Sequence, residues 1–112
     1  GTGGTTVLSG SNTYTGTTAV NAGMLVFAKT SAKASGNVTA GASGSIGLGV
    51  GGSGFYNSAN VDSLFANTLS GFTMNAASGV GIDTSAGDFT YATNQAAARS
   101  LTKLGANKLI LT

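Results

Sequence analysis

The sequence predicts an all-β chain of short strands wound into stacked coils, with one short helix inserted. Three observations carry this. Apolar pairs and triplets recur at short, regular spacing, as in Val7-Leu8, Val20 and Leu25-Val26-Phe27. Polar, glycine-containing turns separate them, as in Ser9-Gly10-Ser11-Asn12 and Asn21-Ala22-Gly23. Gly takes positive φ at no steric cost, and Asn and Ser bond back to nearby backbone. Third, the 41% hydrophobic content, clustered at strand length, argues against the disorder that only 7% charged residues, against about a quarter in an ordinary globular domain, could otherwise mean. Such strands are too short for a sandwich of long hairpins and suit a chain that winds back over itself. Coils of about 20 residues would give roughly five of them in one β-solenoid unit, residues 1–112.

The elements follow in chain order. Gly1 to Gly4 is a flexible entry, and Thr5–Ser9 is the first strand, rich in the Thr and Val that suit a pleated surface. Thr17–Val20 and Met24–Ala28 are strands parted by a turn at Asn21-Ala22-Gly23. Lys29–Ser35 is a polar connection, Gly36–Ala40 a strand, and Ala42–Ser45 a turn. In Ile46–Val50 apolar residues alternate with glycine, which signals a half-buried strand whose second face admits another backbone closely.

From Asn57 the period changes. Val61, Leu64, Phe65 and Leu69 fall at helical spacing, Asn57 or Ser58 can cap the start, and Gly71 is placed to stop the helix. This predicts a short amphipathic helix over residues 59–69, its apolar stripe facing the core. Phe72–Asn75, Val80–Asp83 and Asp88–Ala92 are strands, with turns at Ala76–Gly79 and Thr84–Gly87. Thr93–Ser100 reads as irregular or one helical turn. Leu101–Leu104 and Lys108–Thr112 are the last strands.

Composition excludes much chemistry. With no His and no Cys, there is no serine-hydrolase triad, no Cys–His pair, no disulfide and no thiolate metal site. The acids are Asp62, Asp83 and Asp88; the bases are Lys29, Lys33, Arg99, Lys103 and Lys108. These bases are scattered, and a net charge of +2 makes no nucleic-acid footprint. No apolar run reaches the length of a membrane span. Asp83 and Asp88 read as Asx-turn residues; a calcium site on the same pair, completed by carbonyl oxygens, is the alternative. Gly47–Gly54 lacks the Gly-Lys-Ser/Thr ending of a phosphate loop and reads as tight coil packing. Tyr14, Tyr56, Tyr91, Phe55 and Phe89 read mostly as core or corner stacks, with Tyr14 the candidate platform for sugars. The chain opens on Gly rather than Met, which reads as a segment of something longer or a processed product.

A short internal match aligns Lys108-Leu109-Ile110-Leu111-Thr112 with Thr5-Thr6-Val7-Leu8-Ser9, a polar lead, apolar residues and a hydroxyl. These two strands are the candidate assembly edges of a unit that stacks on identical or flanking copies. An uncovered solenoid end leaves an open β edge.

The stretch Gly10-Ser11-Asn12-Thr13-Tyr14-Thr15-Gly16-Thr17-Thr18, followed by Val20-Asn21-Ala22-Gly23-Met24-Leu25, resembles the autotransporter-associated β-strand repeat, also called the passenger-associated transport repeat. Its motif positions here are Gly10, Asn12, Thr13, Tyr14, Thr15, Gly16, Asn21 and Gly23. Leu101–Thr112 resembles the lead-in to a further copy, although the family usually has Gly where this chain has Asn107 and often Thr at Lys108. Ile82–Tyr91 resembles a segment found between copies in large bacterial surface proteins. The resemblance implies a right-handed parallel β-helix in an exported protein, extracellular or on the bacterial cell surface, forming a stalk, fibre or passenger. The motif carries no catalytic residue and no cofactor. A carbohydrate-binding adhesin that recognises surface glycans ranks second, and an Asp-dependent polysaccharide-degrading enzyme third.

Overall fold

The structure is a computed structural model that describes residues 5–8, 10, 16–32, 36–91 and 101–111. Its strands are β1 (Thr5–Leu8), β2 (Thr18–Phe27), β3 (Val38–Gly49), β4 (Phe72–Met74), β5 (Gly79–Asp83), β6 (Phe89–Tyr91), β7 (Leu101–Leu104) and β8 (Leu109–Leu111). A single helix, α1 (Ser58–Phe65), and a 3-10 turn at Thr30–Ala32 complete the described elements. Every strand pairing among the described residues is parallel. The large sheet runs β1-β2-β3-β5-β7, with β4 paired to the first part of β3, and β6 pairs β8 in a second sheet. Parallel pairing of successive strands with no hairpin is what a coil stacked on itself produces.

The register measures the coil. Thr5 lies beside Met24, Met24 beside Ser45, Ser45 beside Gly79, and Val80 beside Leu101. Three of these steps are 19 to 21 residues; the step from Ser45 to Gly79 is 34. The chain therefore makes about four turns, not the roughly five expected from a uniform period. The helix-bearing coil consumes the difference.

Two expected turns are corners inside continuous strands. β2 runs through Asn21-Ala22-Gly23, and β3 runs through Ala42–Ser45. The ladder survives because both coils bend together. The register slips by one residue between Val20 and Ala22, where β3 supplies the extra residue of a bulge, and Gly23 takes φ 71. The coils approach closely at this corner, since a Cβ on Gly44 would overlap the Val20 carbonyl.

Helix α1 starts one residue before the expected range. Asn57 caps it: the Asn57 side chain accepts from the Asn60 N–H at 3.0 Å, and the Asn60 side chain accepts from the Asn57 N–H at 3.0 Å. The helix ends at Phe65 rather than near Leu69. Asn67 takes φ 59, and its Oδ1 accepts from the Met74 N–H at 2.9 Å, so the chain turns towards β4 before Gly71 is reached. Val61, Leu64 and Phe65 are buried, as the apolar stripe requires, and half-buried Leu69 joins the core from outside the helix.

The core is a set of columns. Leu25, Ile46, Val80 and Leu101 share one register position; Phe27, Leu48, Ile82 and Lys103 share another. Phe27 meets Phe72 edge-on, with centroids 5.5 Å apart. On the alternate positions Met24 crosses two coils, and glycine at 47 and 81 makes room for it: a Cβ on Gly81 would stand 2.5 Å from the Met24 sulfur.

Candidate functional site

The two ends of the coil are where this fold has unfinished business. Among the described residues β1 is bonded to β2 alone, which leaves its other edge open there. At the opposite end, among the described residues, β7 is bonded to β5 alone and β8 to β6 alone. Val7 is 51% exposed, Ile110 41% and Leu101 37%, and these are the exposed large hydrophobics among the described residues. All three lie on end strands. In the inner coils the register partners of Val7 and Leu101, Val26 and Val80, are buried, whereas Thr90, the partner of Ile110, is exposed.

The sequence-predicted edges distribute as follows. Thr5, Thr6 and Val7 are exposed and Leu8 is half-buried against the core. Ser9 and Thr112 lie outside the described residues. Lys108 is exposed, and its backbone N–H donates to Asp88 Oδ1 at 2.9 Å. Leu109 packs against the core, Ile110 is exposed, and Leu111 extends β8. Of the repeat motif, Gly10 and Gly16 are exposed bends and Asn21 and Gly23 form the β2 corner. Asn12, Thr13, Tyr14 and Thr15 lie outside the described residues.

The internal match between Lys108–Thr112 and Thr5–Ser9 is not a structural equivalence. β1 belongs to the large sheet and β8 to the other. The strand that occupies the face of β1 at the far end is β7, through the chain of registers from Thr6 to Leu25, Ile46, Val80 and Leu101. Sequence reading therefore missed Leu101–Leu104 as a candidate edge. Similarity of pattern does not report which side of a coil a strand occupies; counting whole coils does, and the 34-residue coil upsets that count.

The other sequence candidates are occupied by structural work. Asp83 Oδ1 accepts from the Ser85 N–H at 2.9 Å and the Ser85 hydroxyl at 2.5 Å, an Asx turn. Asp88 faces Lys108 instead, so the two carboxylates hold separate partners. Around this corner the Thr84 hydroxyl donates to the Leu104 and Asn107 carbonyls, and the Asn107 amide donates back to the Thr84 carbonyl at 2.8 Å. These bonds tie the last coil to the one before it. Among the described residues no three His, Cys, Asp or Glu side chains gather as metal ligands would.

Tyr56 is buried, and burial pushes its hydroxyl up to about 12. Tyr91 is buried too: its ring stacks on Phe65 with centroids 6.3 Å apart, and its hydroxyl donates to Asp62 Oδ1. Gly47 and Gly49 sit within β3, packed between coils, where a Cβ on Gly49 would overlap the Ala28 carbonyl. Among the described residues no helix is long and apolar enough to cross a membrane.

Comparison with known proteins agrees with the opening coil. Residues 2–27, which span β1 and β2, match the family model of the passenger-associated-transport-repeat. No curated protein and no solved structure matches the chain.

Proposed function

We propose that this chain is a structural unit of a secreted or cell-surface bacterial β-solenoid, a length of stalk, fibre or autotransporter passenger, joined to identical or flanking coils through its open edges. The observation that carries the reading is the placement of Val7 and Leu101, each exposed on a terminal strand while its register partner in the adjoining coil, Val26 or Val80, is buried. A coil added at either end would cover Val7 or Leu101 and pair the outward backbone groups of β1, β7 and β8. The repeat match at residues 2–27 and the solenoid fold support a structural repeat over an enzyme.

Sedimentation of the chain over a wide concentration series, with negative-stain electron microscopy beside it, tests the reading. Elongated species that grow with concentration and are suppressed by Val7→Lys are expected. Growth that ignores Val7→Lys would oppose edge pairing.

A further inference from the structure

The two ends of the coil are chemically unlike. At the N-terminal end, no residue before Lys29 is charged. At the C-terminal end, one register column runs Leu8, Phe27, Leu48, Ile82 and then Lys103. Phe27, Leu48 and Ile82 are fully buried, and Leu8 packs against the same core. The fifth place in this apolar column is taken by a cation, exposed at the end of the stack. The Lys103 ammonium turns to the corner and donates to the Gly105 carbonyl at 2.5 Å.

A second copy adding its β1 to β7 in the prevailing register would set Thr6 over Leu101 and Leu8 over Lys103. The first contact is favourable. The second encloses an ammonium stem between Ile82 and Leu8, and β1 has no carboxylate to meet it. Enclosing a charge without a counterion is strongly unfavourable, and inward-pointing charge on an edge strand is a recurrent defence against unwanted pairing. We propose that Lys103 guards the C-terminal edge against a free second copy, so that head-to-tail joining of separate units is held back by this one side chain. The proposal rests on the edge-pairing reading above.

Its test is the concentration dependence of association for the chain, Lys103→Met, Lys103→Gln and Lys103→Met combined with Val7→Lys. Far-ultraviolet circular dichroism checks the fold of each. Lys103→Met and Lys103→Gln are expected to elongate at a concentration at least about tenfold lower than the chain itself, since each removes the charge that the joint would enclose. Adding Val7→Lys should cancel that gain. If the chain elongates through its Val7 edge but Lys103→Met and Lys103→Gln leave its threshold unmoved, this inference falls and edge pairing stands. If no variant elongates at any concentration, both fall.

Discussion

The Tyr91 hydroxyl donates to Asp62 Oδ1 across 2.5 Å, joining β6 to the middle of α1. The Tyr91 ring lies flat against Phe65 one helical turn on, at an interplanar angle of 13°. Together with the Ser58 hydroxyl, which donates to the Thr90 carbonyl at 3.4 Å, these contacts hold the inserted helix on the flank of the coil.

Tyr91→Phe keeps the stacking and removes the bond to a carboxylate. Hydrogen bonds to charged groups contribute about 1.5–3 kcal/mol, and partial exposure places this one near the lower end. A loss of about 1.5 kcal/mol is expected in urea denaturation, with an unchanged far-ultraviolet spectrum.

Phe27 has no exposed surface and contacts Phe72 at an interplanar angle of 80°. Phe27→Ala empties the middle of a column that coils on either side cannot collapse to fill. A cost of about 3–5 kcal/mol is expected, read as a lowered denaturation midpoint.

Glycine substitutions separate two kinds of close approach. A Cβ on Gly81 meets the Met24 thioether, a flexible neighbour, whereas a Cβ on Gly49 meets the Ala28 backbone. Gly49→Ala should therefore destabilise more than Gly81→Ala, by about 1 kcal/mol or more. Met24→Ala should reduce the cost of Gly81→Ala and leave that of Gly49→Ala alone. Equal costs, or no coupling to Met24 in the double-mutant cycle, would refute this packing.

Tyr56 gives a pH signature. Burial raises its hydroxyl from 10.0 to about 12, so the unfolded chain ionises first as pH rises. The neutral side chain carries no penalty below pH 10, and folding stability then falls between pH 10 and 12. Two pKa units correspond to at most about 2.7 kcal/mol. Tyr56→Phe should show a shallower decline over that window than the parent chain.

The strands were legible because alternation and turn chemistry are local: Ile46, Leu48 and Val50 are all buried, but Gly47 and Gly49 are buried as well, so this stretch is covered on both faces by adjoining coils rather than half-buried. The helix was legible from Val61, Leu64 and Phe65. Its end was not, because Asn67 stops it through a bond to Met74 in the next strand, a partner no local window contains. The corners at Gly23 and Gly44 looked like breaks because their composition is that of turns. Only the adjoining coil keeps their ladder intact. The open edge at β7 was hidden for a similar reason: its equivalence to β1 exists in register, not in residue type.

The chain contains no cysteine, which allows a direct trap of the central claim, that the coil ends join. Val7, Val26, Gly47, Gly81 and Thr102 share one register column. In a head-to-tail joint Thr102 of one copy and Val7 of the next would stand about 4.8 Å apart, within the Cα range of a disulfide. The measurement is non-reducing electrophoresis after mild oxidation of the Val7→Cys, Thr102→Cys double variant at high protein concentration. A ladder of linked oligomers, with each single variant giving no more than dimers, is the predicted result. A double variant that yields only monomers and dimers even when Lys103→Met is added would contradict the account.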